Sequence, residues 1–202
     1  MSHLKKYVPH MTNPELIGLA KNRYLDEEDQ VAIAKFDYRR AHNYLIENMN
    51  LKSAARDVLW DYNGYARKCD LIQYGHFIDE QDKYHELYDG YATQMRNRSP
   101  WRIPRVFLHH YRWHSHGMST RTDDTGTPPD IIEDIYLKDV QRRRVGSDQI
   151  GTSGYYYSGP STTERMIIEN KNTPIELIVK ISASSPDDNN RTLAMRTMAR
   201  RS

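Results

Sequence analysis

The chain has 202 residues and a net charge of only +2, and 38% of its residues are hydrophobic. This length fits one domain or two small ones, and the mean hydropathy of −0.86 indicates that much of the chain faces water or a partner. The single cysteine, Cys69, excludes an intrachain disulfide and a cysteine-rich zinc site, and it fits a reducing compartment.

The first 97 residues carry a helical pattern. Asn13 is the predicted N-cap of a short first helix, and Asp26 is the predicted N-cap of a second helix that continues to Met49. Ser53 is the predicted N-cap of a third helix, in which apolar residues recur every three or four positions as far as Cys69. A fourth predicted helix repeats this spacing at Tyr84, Leu87, Tyr88, Tyr91 and Met95. These helices predict an N-terminal helical bundle.

The pattern changes after residue 97. The prolines of "SPWRIP" end the helical pattern, and "RVFLHHYRW" at 105–113 is typical of a strand. A helix is predicted from about Asp130, and "GTSGYYYSGPSTT" at 151–163 is predicted to be a loop. "ERMIIEN" and "IELIVKIS" predict a β-hairpin with its turn at "KNTP", because both arms are rich in β-branched residues.

The predicted fold class is therefore α+β, with an N-terminal helical bundle followed by a small antiparallel β element and one further helix. The predicted regions are a helical region at 1–97, a β-rich region with one helix at 98–185, and a polar linker with a basic tail at 186–202. The tail is compatible with a short helix.

Charge is unevenly distributed along the chain. Residues 98–202 have a net charge of +4, whereas residues 1–97 have a net charge of −2. No acidic residue occurs between Asp89 and Asp123, and all six basic residues other than histidine in that interval are arginines. Arginine forms bidentate hydrogen bonds with carboxylate and phosphate and stacks on aromatic rings, so this segment indicates a recognition surface. An ordinary solvated surface is the alternative.

Protein subunits are the first expected partners, as a homo-oligomer or a larger assembly, and nucleic acid is the alternative partner. The predicted partner-binding residues are Arg96, Arg98, Trp101, Arg102, Arg105, Tyr111, Arg112, Trp113, Arg121, Arg191, Arg196, Arg200 and Arg201.

A histidine cluster at His109–His116, with the sequence "HHYRWHSH", raises the question of a metal site. On a strand, His114 and His116 share one face, and on a helix His110 and His114 do. A metal needs a third ligand, which the nearby sequence does not supply, and Arg112 repels a dication. We therefore predict a surface rather than a metal site.

Motifs that indicate catalysis are not found in the sequence. The glycines of "GTSGYYYSG" lack the lysine of a phosphate-binding loop, and Cys69 lies on an apolar helical face. We predict no catalytic residue, no metal ligand and no cofactor.

The predicted function is that of a non-enzymatic structural or assembly protein, a subunit of a larger complex such as a connector or minor capsid component of a virus or phage particle. Two alternatives are a nucleic-acid-binding regulator or packaging factor that uses the arginines, and a metal-dependent hydrolase at the histidine cluster. Because no signal peptide or transmembrane segment is evident, we expect a reducing intracellular location or a virion, and no membrane contact.

Overall fold

The structure, a computed structural model, describes residues 4–62, 64–94, 106–108, 110–113, 119–122, 126–145 and 160–202. Side chains are described over 4–62, 64–90, 106–108, 126–141 and 163–202. Helix accounts for 73% of the described part of the chain, and no strand occurs where side chains are described. The predicted α+β class is therefore wrong, because the described fold is helical.

The chain packs as two compact units. The first unit contains Met1–Phe77 and Tyr111–Thr120. Its helices are α1 (Asn13–Ala20), α2 (Glu27–Lys35), α3 (Arg39–Ile46), α4 (Ser53–Asp61) and α5 (Tyr65–Gln73), preceded by two 3-10 turns at Leu4–Lys6 and Val8–His10. The second unit contains Ile78–His110 and Arg121–Ser202. Its helices are α6 (Gln81–Gln94), α7 (Pro129–Val145), α8 (Pro160–Glu169), α9 (Ile175–Ser184) and α10 (Asp188–Arg201).

The predicted strand at 105–113 is only partly extended. Residues 106–108 are helical, whereas β1 (His110–Trp113) is extended and pairs with β2 (Ser119–Thr122). A single pair of four-residue strands does not form a sheet that covers a core.

The predicted β-hairpin at 164–182 is wrong, because both of its arms are helical and form α8 and α9. A strand at 175–182 would bury alternate residues on one face. The structure instead buries Leu177, Ile178 and Ile181 and leaves Ile175 and Val179 exposed, which is the spacing of a helix with one buried face. Burial in the tertiary fold thus outweighs the strand preference of these β-branched side chains.

Two of the long predicted N-terminal helices are each divided in the structure. The predicted helix from Asp26 to Met49 becomes α2 and α3, with extended backbone at Phe36 and Tyr38 between them. The Nε2 atom of buried His42 hydrogen-bonds the Phe36 carbonyl at 2.8 Å and holds this turn. The predicted helix after Ser53 becomes α4 and α5, because its continuation is interrupted near Gly64, a residue that weakens helix interiors.

Two helix starts in the first unit, those of α1 and α2, follow local capping signals, whereas α4 begins at Ser53 with Lys52 rather than the predicted Ser53 at its N-cap. The first N-cap is Thr12 rather than Asn13, in a capping box in which the Thr12 backbone N–H donates to Glu15 Oε2 at 2.8 Å. The predicted cap at Asp26 is confirmed, because its side chain accepts a hydrogen bond of 3.0 Å from the Asp29 backbone N–H.

The C-terminal segment was predicted to be a polar linker and basic tail, and the linker is much shorter than expected. Only Ser185–Asp187 connect α9 to the fourteen-residue helix α10. Asp187 is the N-cap of α10, accepting a hydrogen bond of 2.8 Å from the Asn189 backbone N–H. The short connection makes α9 and α10 an antiparallel helical hairpin, and it places the C-terminus of α10 beside the start of α9.

Candidate functional site

Most of the predicted partner-binding residues have no described side chain. Arg96, Arg98, Trp101, Arg102 and Arg105 lie outside the described residues. The backbone of β1 contains Tyr111, Arg112 and Trp113, and that of β2 contains Arg121. Arg191, Arg196, Arg200 and Arg201 are described with their side chains, and all four lie on α10.

The histidine cluster also falls outside the described side chains. His109, His114 and His116 lie outside the described residues, and only the backbone of His110 is described. In the part of the chain that is described, no group of three or more His, Cys, Asp or Glu side chains is placed to hold a metal ion.

Two of the four arginines on α10 bind their own chain. Arg201 donates a hydrogen bond of 2.8 Å from Nη1 to the Thr173 carbonyl and one of 2.6 Å from Nη2 to the Asn170 carbonyl. Burial lowers the pKa of Arg201 from its ordinary value, which is far above neutrality. Arg191 donates from Nη1 to the Ser185 carbonyl at 2.6 Å, and it forms an ion pair with Asp188. These two guanidinium groups stabilise the hairpin.

The other two arginines on α10 face solvent. Arg196 and Arg200 are exposed, and neither forms an ion pair or a side-chain hydrogen bond with another described residue. They are four residues apart and therefore lie one turn apart on the same helix face. This pair of cations is available to a partner.

A groove lies between the start of α9 and the end of α10, with a volume of about 500 Å³. Its lining consists of Thr173, Ile175, Met198, Ala199, Arg201 and Ser202. Four of these residues present apolar or methyl groups, and Arg201 is already bonded to backbone carbonyls. The groove thus has an apolar floor beside the exposed cations of α10.

Exposed apolar side chains continue from this groove along the hairpin. Ile175 is 39% exposed, Val179 is 49% exposed and Met195 is 54% exposed. Val179 lies one turn after Ile175 on α9, and Met195 lies one turn before Ala199 on α10, so in an antiparallel hairpin both extend the groove in the same direction. We define the outer hairpin face as Ile175, Val179, Met195, Ala199 and the two exposed arginines.

The hairpin is held against α8 by a buried carboxylate. Glu164 is 1% exposed. It accepts hydrogen bonds from the Ser185 hydroxyl and from Asn190 Nδ2, the latter at 3.1 Å. Because Ser185 begins the connection between α9 and α10 and Asn190 lies in the first turn of α10, Glu164 fixes the turn of the hairpin.

A second polar cluster lies between α6 and α7. The Tyr88 hydroxyl donates to Asp134 Oδ2 at 2.6 Å and accepts from Lys138 Nζ at 3.1 Å. Burial raises the pKa of Asp134, but hydrogen bonds from Lys138 and Tyr88 outweigh this effect and hold the pKa below its ordinary value of 3.8. Tyr88 also packs edge-on against Phe107. Tyr88 thus joins α6 to α7 by hydrogen bonds and contacts Phe107 through its ring.

The residues predicted from the sequence to bind a partner include Arg196 and Arg200 but not the apolar part of the outer hairpin face. Ile175 and Val179 were placed in a predicted strand, and Met195 was placed in a tail. The sequence does contain a signal for the start of α10. Asp187 is followed by Asn189 and Asn190, a helix-capping pattern that precedes a segment of good helix formers.

Comparison with protein family models, with curated proteins and with solved structures finds no match for this chain. Among the described residues, no helix combines the length and the apolar character needed to cross a membrane.

Proposed function

We propose that this chain is a non-enzymatic structural protein that associates with copies of itself and acts as a subunit of a larger assembly. The observation that supports the proposal is the outer hairpin face, where Ile175, Val179 and Met195 expose apolar surface next to a groove. Single exposed hydrophobic residues are common on protein surfaces, whereas exposed apolar side chains grouped beside a groove and bordered by charges indicate an interface.

The groove and its surroundings also fit an interface better than a catalytic site. The floor is apolar, and the guanidinium group of Arg201 at its edge is used for backbone hydrogen bonds. A rigid helical hairpin with exposed arginine beside methionine and aliphatic side chains has the composition of a protein-binding surface, in which arginine and methionine are enriched. A virus or phage particle, with the chain as a connector or minor capsid component, remains the setting that we propose.

The experiment is the solution mass of the purified chain, measured by light scattering behind size exclusion over a range of protein concentrations at moderate salt. A discrete multiple of 23.8 kDa is expected. A monomer at every concentration up to the solubility limit would contradict self-association.

Nucleic-acid binding is the second candidate, and the exposed pair Arg196 and Arg200 favours it. Phosphate contacts give an affinity that falls steeply as salt rises, whereas apolar self-association responds weakly to salt. Fluorescence anisotropy of labelled single-stranded and duplex DNA and RNA, titrated at several salt concentrations, separates the two candidates. Binding that weakens in Arg196→Ala and Arg200→Ala and falls with salt supports this second function.

A further inference from the structure

We infer that the groove between α9 and α10 binds the loop tip of a second copy, which consists of Tyr24, Met49 and the two loops that carry them. The contact is head to tail, because the two copies use different surfaces, and such a contact closes into a ring or continues as a filament. This inference rests on the proposed function, since it names the two surfaces through which copies of the chain associate.

Tyr24 and Met49 are the two most exposed large apolar side chains in the described part of the chain. Tyr24 is 92% exposed, and Met49 is 65% exposed. Tyr24 lies in the loop between α1 and α2, and Met49 lies in the turn after α3. Tyrosine and methionine are enriched where one protein binds another, and a tyrosine buries about 150–250 Å² when it is covered. The chain thus carries its most exposed apolar surface on the first unit.

Side-chain amides tie the two loops of the tip together. Asn48 Nδ2 donates a hydrogen bond of 3.5 Å to the Asn22 carbonyl, and Asn50 Nδ2 donates one of 3.2 Å to the Arg23 carbonyl. Because each of these bonds joins one loop to the other, the two loops lie against each other. The loop tip is therefore a single surface.

A fully buried amide fixes the same two loops from the interior of the first unit. Gln30 Nε2 donates to the Leu25 carbonyl at 3.1 Å and to the Asn50 carbonyl at 3.2 Å, and Gln30 Oε1 accepts from the Lys52 backbone N–H at 2.7 Å. The exposure of the tyrosine and the methionine thus belongs to a fixed tip. An anchor that is already fixed loses little conformational entropy when it binds.

The groove has the size and the chemistry to receive an aromatic ring. Its volume of about 500 Å³ lies within the range of about 300–1,000 Å³ found for pockets that hold small molecules. Ile175, Met198 and Ala199 supply an apolar lining, and a methionine sulfur makes favourable contacts with an aromatic ring. The guanidinium group of Arg201 is bound to two carbonyls, so the ring displaces no ion pair.

Charged residues of both signs lie beside each of the two surfaces. On the loop tip, exposed Arg23 and Asp26 lie one and two positions from the tyrosine. Beside the groove, exposed Glu176 and Arg200 each follow a lining residue. Each surface thus offers opposite charges to the other. Two copies of the outer hairpin face would instead bring the exposed arginines of both copies to one interface, where like charges reduce affinity.

Truncation of the tip and filling of the groove test the contact. Tyr24→Ala removes the ring, and Ala199→Trp adds a bulky side chain to the groove lining. We expect each variant to weaken self-association at least about tenfold, because a central aromatic anchor contributes much of the binding energy. Leu137→Ala truncates an exposed side chain of α7 outside both surfaces, and its dissociation constant should stay within about twofold of the original.

A mixture of the two variants separates a head-to-tail contact from a contact between identical faces. Tyr24→Ala retains the groove, and Ala199→Trp retains the loop tip. At a concentration where each variant alone is monomeric, an equimolar mixture should form a one-to-one dimer, measured by sedimentation equilibrium with circular dichroism to check folding. A mixture that stays monomeric overturns the inferred contact.

The other outcomes distinguish this contact from the proposed function. If the original chain is monomeric at every concentration, the proposed function and the contact both fail. If it is oligomeric and Tyr24→Ala leaves its dissociation constant unchanged, the proposed function stands and the inferred contact is wrong. If Tyr24→Ala weakens the binding of a labelled oligonucleotide and leaves self-association unchanged, the tip binds nucleic acid and the second copy is excluded as its partner.

Cross-linking decides the question where a variant does not fold. In a Cys69→Ser background, Arg23→Cys mixed with Ser202→Cys should give a cross-linked dimer with a short bismaleimide, because the tip then lies beside the groove lining. The matched control is Arg40→Cys mixed with Ser202→Cys, since Arg40 is an exposed arginine of α3. Equal yields from the two mixtures overturn the inferred contact.

Discussion

Asn190 Nδ2 donates a hydrogen bond of 3.1 Å to the buried carboxylate of Glu164, a residue that precedes it by 26 positions. The bond joins α8 to the first turn of α10, and the Ser185 hydroxyl donates to the same carboxylate. Since Glu164 is almost completely buried, its carboxylate depends on these donors for the solvation that water no longer gives. The C-terminal hairpin is therefore attached to α8 by a polar contact as well as by apolar packing.

Glu164→Ala is predicted to destabilise the second unit by about 2–4 kcal/mol, since it leaves Asn190 and Ser185 with unsatisfied buried groups and creates a cavity. Glu164→Gln keeps an acceptor oxygen and most of the volume, so its cost should be clearly smaller. Urea unfolding followed by circular dichroism measures both. Equal free energies of unfolding for Glu164→Ala and the original chain would contradict the role of this contact.

Arg201→Met is predicted to lower the free energy of unfolding by about 1–3 kcal/mol, because it removes two charge-assisted hydrogen bonds to the Thr173 and Asn170 carbonyls. Arg40→Met is the matched control at an exposed position, and its effect should lie within about 0.5 kcal/mol of zero. The measurement is thermal and urea unfolding of both variants. If Arg40→Met lowered the free energy of unfolding as much as Arg201→Met, the two carbonyl contacts would have no specific effect on stability.

Gly126→Ala is predicted to destabilise the second unit, for two reasons. Gly126 has a φ of +63°, which disfavours a side chain, and a Cβ atom there would lie 2.5 Å from the Ile78 carbonyl oxygen. We expect a loss of at least about 1–3 kcal/mol from backbone strain alone.

Gly18→Ala is the opposite case and serves as the comparison for Gly126→Ala. Gly18 lies within α1, and a Cβ atom there meets nothing within 4 Å. Because alanine is the better helix former, we expect Gly18→Ala to stabilise the chain by about 0.5–1 kcal/mol. Melting temperatures of the two variants should therefore move in opposite directions.

The first unit is predicted to lose stability as the pH falls below about 6.5. Burial lowers the pKa of His42 and His76 in the folded state, and the positive charges of Arg67 and Arg56 respectively act in the same direction. These two histidines therefore take up protons at a higher pH in the unfolded chain than in the folded chain. Stability is complete above the ordinary histidine pKa and is lost as the pH falls below it.

Urea midpoints at about pH 7.5 and pH 5.5 measure this loss. His76→Gln removes one of the two titrating groups and should reduce the difference between the two midpoints, whereas His10→Gln, at an exposed position, should leave it unchanged. A midpoint that does not fall between the two values of pH in the original chain would refute the prediction.

Local signals predicted the elements whose ends are decided by neighbouring residues. The cap at Asp26 and the helix beginning near Asp130 follow from short-range hydrogen bonds and from helix periodicity. The segment 175–182 was assigned wrongly because its β-branched residues favour a strand when taken alone. The buried positions Leu177, Ile178 and Ile181 follow the helix period, and that choice depends on the helices against which they pack.

The sequence by itself determined that arginines are concentrated in the second half of the chain and that a single cysteine allows no intrachain disulfide. Only the tertiary structure decided which arginines are available to a partner. Arg200 and Arg201 are adjacent in sequence, yet Arg201 is bound to two backbone carbonyls from the α8–α9 turn while Arg200 faces solvent. Successive residues on a helix point in directions about 100° apart, so the packing of α10 against its neighbours assigns one guanidinium to the fold and leaves the other on the surface.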